Sequence, residues 1–348
     1  CRSLTSVVIP DGVTLIGNGA FSGCSGLTSV VIGDGVTLIG NGAFFGCSGL
    51  TSVVIPDGVT SIGPRPFASC SSLIHITVAL ENPAYCSVDN VLFDKNQTVL
   101  LQYPAGQSGE YQIPDSVTSI GDGAFSGCSG LTSVVIPDGV TSIGYSAFYN
   151  CSGLTSVVIP DGVTSIGSSA FYGCTGLTSV VIPDGVTSIG GFAFRYCRSL
   201  TSVVIPDSVT CIEGWGAFAY CSSLTSVVIP DSVTSIGSAT FEFCSSLTSV
   251  VIGNSVTRIG EYVFKACSSL ASVVIPESVN RINNYAFEFC FGLSGIYFLG
   301  APPETSWDAF SRVPGTAYYI FGTAGWGEVY HRLPTAVWSS EASFDGNG

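Results

Sequence analysis

The chain has 348 residues, of which 46% are apolar and 10% charged, with a formal net charge of −14 and a pI near 4.2. That length allows two average domains or one long repeat array, and the low charge content excludes a highly charged disordered chain. The acidic balance excludes nucleic acid and anionic lipid as primary partners, since both repel such a surface. The apolar runs are only a few residues long, so no membrane insertion is expected where about 20 are needed to span a bilayer. No signal peptide is legible. The chain starts at Cys1 and contains no Met, which reads as a processed or truncated product.

From the first residue onward the sequence repeats. LTSVVI stands verbatim at Leu4, Leu27, Leu50, Leu131, Leu154, Leu177, Leu200, Leu224 and Leu247, with near-copies at Leu270 and Leu293. The dominant period is 23 residues, stretched to 24 between Cys197 and Cys221 by an insertion near Trp215. Within the first unit, Leu4, Val7 and Ile9 sit at strand-like spacing, and Pro10-Asp11-Gly12 supplies a turn. Val13 and Ile16 form a second short extended piece. Gly17 ends it, and Ala20-Phe21 leads a short helical or 3₁₀ turn to Cys24. The eight apolar positions of one unit cannot close a core alone, but stacked units cover one another. At strand spacing, about thirteen rungs would make a rod on the order of 60 Å long.

The unit L-x-x-V-x-I-P-D-x-V-T-x-I-G-x-x-A-F-x-x-C resembles the BspA-like leucine-rich repeats of bacterial and some protist surface proteins, over about residues 1–295. Residues 71–113 look like that family's irregular repeat, marked by Asn82-Pro83-Ala84-Tyr85, Asp89-Asn90-Val91-Leu92-Phe93 and Tyr103-Pro104-Ala105-Gly106. The family usually has Gly where Asn90 stands, but Asn also tolerates the left-handed conformation a turn needs. Residues 315–338 resemble a C-terminal segment of secreted repeat proteins from environmental bacteria. The resemblance implies a leucine-rich-repeat solenoid, a β-rich α/β superhelix of short strands and short helical turns. It further implies a secreted or cell-surface location and binding or adhesion rather than catalysis. The domain reading is a solenoid over 1–295 and a capping segment with tail over 296–348.

Twelve of the fourteen cysteines occupy one repeat position, from Cys1 and Cys24 to Cys290. Equivalent Cβ atoms on neighbouring rungs lie about 5 Å apart, beyond the roughly 3.8 Å of a disulfide. No C-x-x-C pair offers a metal site, so the column reads as buried thiols, with no metal and no cofactor. Cys86 and Cys211 lie off the column and are the more reactive candidates.

Three outward columns follow from the alternation of a strand. If Val7 and Ile9 point inward, Val8 points outward, as do Val31, Val54, Val135, Val158, Val181, Val204, Val228, Val251 and Val274. A contiguous apolar stripe of this kind marks a contact surface, although β-propensity alone also favours valine there. The aspartates from Asp11 to Asp231 form an acidic column, which turn chemistry explains and which loose Ca²⁺ binding would also use. The units differ mainly around Ala-Phe, where Tyr145, Tyr149, Tyr172, Phe192, Tyr196, Trp215, Tyr220, Phe243, Tyr262, Tyr285 and Phe289 stand. Variation inside copied units is where specificity can reside, and aromatic groups with polar tips suit protein or sugar contacts. Neutral drift is the plain alternative.

Only two histidines exist, His75 and His331, and a regular rod offers no cleft that would hold an acid and a nucleophile beside either. No catalytic residue is expected. The C-terminal end offers Trp307, Tyr318, Trp326 and Trp338 as a cap, whereas Cys1 and Leu4 begin in mid-repeat, leaving a rung uncovered. Two functions remain open. One is an extracellular binding or adhesion scaffold for a surface or matrix protein or a glycan. The other is a structural subunit that stacks on itself head-to-tail into a filament.

Overall fold

The computed structural model describes residues 1–306 and 308–338, the side chain of Glu213 aside. It is a β-solenoid of about fourteen turns. In the first turn the β-branched run Ser6–Ile9 is a strand. Pro10, with no N–H for a ladder, ends it, and the turn closes by Val13 N–H donating to Pro10 O at 3.0 Å. A two-residue strand, Leu15–Ile16, follows. Each strand pairs in parallel with its equivalent one period on: Ser6 with Ser29 through Ile9 with Ile32, and Leu15 with Leu38. The 23-residue period is therefore one turn of the coil.

The third side differs from the helical turn expected from the sequence: no helix occurs among the described residues. Around Ala20-Phe21 the N–H groups alternate in direction. Ala20, Ser22 and Cys24 donate to carbonyls of their own turn at 3.2, 2.9 and 3.1 Å. Gly19, Phe21 and Gly23 donate to Asn41, Ala43 and Phe45 of the next turn at 2.9, 2.7 and 2.7 Å. A helix would direct every N–H along its own axis and leave the neighbouring turn unpaired. The alternation requires left-handed backbone at two positions per turn, with φ +60° at Gly19 and +70° at Gly23.

The chain packs as two compact units, residues 1–185 and the residues from 186 onward. In the first, the irregular repeat breaks the pattern with a hairpin. Tyr85–Val88 and Val91–Asp94 pair antiparallel, and Asp89 and Asn90 at φ +50° and +68° make the two-residue turn. Val99–Gln102 pairs with the second arm and then, in parallel, with Ser119–Ile120, which restarts the regular coil. The fully buried Asn82 ties this segment to the preceding turn. Its Nδ2 donates to Pro56 O and Val59 O at 2.8 and 2.9 Å, and its Oδ1 accepts from Ala84 and Tyr85 N–H.

In the second unit, the residue inserted near Trp215 is absorbed as a bulge. Ile212 pairs with Ile236 and Trp215 with Ser238, and Gly214 takes φ +72°. The last turns continue as a parallel sheet of Ser272–Ile275, Gly295–Phe298, Thr316–Ile320 and Leu333–Trp338.

The core repeats with the coil. In a regular interior turn all eight apolar positions are buried, as in Leu131, Val134, Ile136, Val140, Ile143, Ala147, Phe148 and Cys151. The phenylalanines stack in columns at 4.8 Å for Phe125–Phe148 and 5.1 Å for Phe148–Phe171 in the first unit. In the second unit Phe194–Phe218 and Phe264–Phe287 lie at 5.2 and 5.3 Å. Each such pair contributes about 0.5–1.5 kcal/mol beyond its buried area.

No disulfide joins any of the fourteen cysteines, and the column from Cys24 to Cys290 is buried. In the regular turns the thiol donates to a phenylalanine carbonyl of the turn before, as Cys151 does to Phe125 O at 3.0 Å and Cys244 to Phe218 O at 3.3 Å, while Cys128, after the irregular repeat, faces Tyr103 O instead. Cysteine fits this position because it is small, apolar and still carries one weak donor.

Candidate interaction faces

Outward side chains of the same turns form the candidate site. The valine column lies on the strand face in parallel register, Val8 beside Val31 and Val135 beside Val158 and Val181. Its members from Val8 to Val251 are exposed, between 53% and 71%, while Val274 is half-buried. Thr77 and Gln112 interrupt the column within the first unit, in register with Val54 and Val135. In the second unit Val274 is followed by Tyr297 and Tyr318, stacked at 4.9 Å. Local pairing does not set these exposures; they follow from the inward partners Val7 and Ile9 being claimed by the core.

The aspartates are exposed, and they serve the turns: Asp11 Oδ1 accepts from Asp34 N–H at 3.1 Å and Asp231 Oδ1 from Asn254 N–H at 2.6 Å. Among the described residues, no group of three or more His, Cys, Asp or Glu side chains gathers to hold a metal ion. His75 Nδ1 is 3.1 Å from Asn90 Oδ1, inside the irregular repeat.

The aromatic residues singled out in the sequence fall on the third side of the coil. Tyr149 and Tyr172 stack at 4.7 Å in the first unit, where Arg65 also covers Tyr145 at 5.2 Å. The second unit holds the denser cluster. Tyr196, Tyr220 and Phe243 stack in a column at 4.5 and 4.7 Å. Tyr262 and Tyr285 stack beside it at 5.2 Å, and Trp215 leans on Tyr262 at 5.8 Å. Cations are threaded between the rings. The Arg195 guanidinium lies 5.3, 5.2 and 4.9 Å from the centroids of Phe192, Tyr196 and Tyr220. The Lys265 ammonium lies 4.8, 5.9 and 5.7 Å from those of Tyr262, Tyr285 and Phe289, and pairs with Glu288 at 3.0 Å. Glu242 stands between Arg195 and Lys265. Burial pushes its carboxyl above the usual range, against the pull of those two cations.

The sequence alone did not reveal the backbone beneath these rings. Phe192, Tyr196, Tyr220, Phe243, Tyr262, Tyr285 and Phe289 all have φ between +58° and +63°. They occupy the positions of Gly19 and Gly23, where an L-residue pays about 1–2 kcal/mol for left-handed backbone. The repeat alignment contained the signal, as a column alternating between glycine and bulky residues.

Of the proposed end residues, Cys1 is exposed and Leu4 packs half-buried on the core. Tyr318 stacks on Tyr297, Trp326 stacks on Tyr319 at 5.1 Å and donates to Gly300 O at 3.3 Å, and Trp338 meets Tyr297 edge-on. Trp307 lies outside the described residues.

Parallel in-register strands, a stacked phenylalanine column and a buried position for cysteine in each regular turn define a leucine-rich-repeat type of solenoid, a scaffold of the kind used for protein binding. The model of the BspA type leucine rich repeat region matches residues 1–98, 107–215 and 214–317, and the chain belongs to that family. A leucine-rich cell surface protein of Faecalibacterium prausnitzii is 35% identical, with 72% of this chain and 60% of that one aligned at a TM-score of 0.59. The chain thus spans less than two thirds of that protein. A leucine-rich repeat protein of Eubacterium ventriosum is 27% identical over 82% of each chain at 0.56. One from Bacteroides ovatus is 26% identical over 97% of this chain and 79% of its own at 0.53. No curated protein is significantly similar to the chain. No helix among the described residues is long and apolar enough to cross a membrane.

Proposed function

We propose that the protein is a non-enzymatic binding scaffold of the cell surface or extracellular space, and that it engages a protein partner through the aromatic face of residues 186–338. One observation carries this reading: seven aromatic side chains on one side of that unit hold left-handed backbone where glycine would be less strained. Strain kept at many turns, in units otherwise copied, points to selection for contact rather than for folding. The composition agrees, since Tyr, Trp and Arg dominate binding hot spots. The cell-surface protein from F. prausnitzii supports the location. Residues 296–338 act as the cap of the coil in this reading.

The test is adhesion of the purified chain to host cells and extracellular matrix proteins, compared with the triple variant Tyr196→Ala, Trp215→Ala, Tyr220→Ala. Loss of at least tenfold in binding with an unchanged circular dichroism spectrum is the expected result; unchanged binding to every surface tried overturns it.

The exposed valines favour a second reading, self-association into a filament, because contiguous apolar stripes are unusual on soluble monomers. Light scattering against concentration decides this reading: a constant monomer mass removes it.

A further inference from the structure

Resting on that binding reading, we infer that the face contains a slot for one aromatic side chain of a protein partner, above Ala266 between Phe243 and Phe289. The left-handed column of this unit runs Tyr196, Tyr220, Phe243, Ala266, Phe289, Arg312, one residue per turn. Rings or a guanidinium fill it everywhere but at Ala266. Tyr196, Tyr220 and Phe243 stack at 4.5 and 4.7 Å, and Arg312 covers Phe289 at 5.2 Å. Two turns separate Phe243 from Phe289, about 10 Å at strand spacing. A ring placed midway lies about 5 Å from each, inside the 4.5–7 Å range that aromatic pairs prefer. The turn at Ala266 therefore lacks one ring of the stack, and the vacancy has the thickness that neighbouring turns give to tyrosine and phenylalanine. Phe243, whose other face is stacked on Tyr220, is 37% exposed here.

Electrostatics select the occupant. Lys265, the residue before Ala266, holds its ammonium over the rings of Tyr262, Tyr285 and Phe289 on this side. A visiting ring offers that ammonium another negative π-face, whereas a visiting arginine or lysine meets a like charge. The main chain at Ala266 already has φ +58°, so a larger side chain there needs no new backbone conformation. Other turns of this unit carry aromatic residues at the equivalent position, so it accepts a ring from within the chain.

The experiment uses the full chain and blocked tripeptides, acetyl-Gly-X-Gly-amide with X as Phe, Tyr, Arg or Ala, together with methyl β-glucoside, read by saturation-transfer NMR. The Phe and Tyr peptides are expected to bind with dissociation constants on the order of millimolar. The Ala and Arg peptides should bind at least tenfold more weakly. Ala266→Tyr fills the slot from within and should abolish the signal while leaving the circular dichroism spectrum unchanged. Phe243→Ala removes one wall and should weaken binding at least fivefold, and serves if Ala266→Tyr does not fold. Equal binding of all peptides, stronger binding of the arginine peptide or the glucoside, no binding by any probe, or undiminished binding by Ala266→Tyr and Phe243→Ala overturns the slot. The adhesion assay separates the two readings: if the triple variant still loses adhesion while the tripeptides fail, the slot falls and the binding face stands.

Discussion

The regular turns of the two compact units have the same inward pattern and differ chiefly in one pair of outward columns. In residues 1–185 the left-handed turn positions are glycine at seven of twelve, with Arg65, Ser69, Ser146, Asn150 and Ser169 at the rest. From residue 186 on, among the described residues, they are glycine only at Gly216 and aromatic at seven of eleven. Outside the irregular repeat, the strands, phenylalanine column and thiol column are the same in both. One set of turns takes the residue the backbone prefers. The other takes rings that the backbone disfavours and recovers part of the cost by stacking them at 4.5–5.2 Å. Fold stability alone gives no reason for the second choice, so the difference separates what holds the coil from what the coil displays.

The largest effect should be equal in the two units. Phe148→Ala and Phe241→Ala each remove a fully buried ring from the column and should each cost about 3–5 kcal/mol in urea unfolding. A difference above roughly 2 kcal/mol would mean the cores are not equivalent. The next effect should differ between the two units. Gly46→Tyr puts a side chain on φ +69° and should destabilise by about 1–2 kcal/mol. Tyr220→Gly relieves φ +62° but loses two ring contacts, so its stability should stay within about 1 kcal/mol of the parent while adhesion drops. A large loss of stability from Tyr220→Gly would make the aromatic column structural.

The last effect is confined to alkaline pH and appears in both units. Burial raises Tyr103 to about 12 from an ordinary 10, and Cys244 and Cys290 to about 12 from 9. Folding favours the neutral form of each, so this contribution is complete below about pH 9 and is lost as pH rises toward 12. The melting temperature should hold to pH 9 and fall above it. At neutral pH a thiol reagent should reach Cys1, Cys211 and, slowly, Cys86, whose thiol is pushed up by burial and donates to Asp94 O at 3.3 Å. Rapid labelling of the buried column in the native state would show that the turns open locally.

Much of the fold was legible because its information is local and repeated. Leu4, Val7, Ile9, Val13, Ile16, Ala20, Phe21 and Cys24 mark the inward positions, Pro10-Asp11-Gly12 marks the turn, and the period marks the coil. The tolerance of Asn90 for left-handed backbone was readable from its chemistry, and it is met at φ +68°. The Ala20-Phe21 segment was not readable. Its spacing fits a helical turn, and only the neighbouring turn, by accepting from Gly19, Phe21 and Gly23, makes the alternating form the better-paired one. The candidate face was legible as a list of residues but not as a site. Its stacking, the bridging by Arg195 and Lys265, and the left-handed backbone depend on turns 23 or 24 residues apart.

By itself, then, the sequence determined the repeat, the inward column of each turn, the buried thiols and the outward valines, since each follows from side-chain polarity at fixed spacing. Only the tertiary structure decided how each turn satisfies its backbone and which outward rings meet. Those outcomes are set by hydrogen bonds and contacts between turns, which no single unit contains.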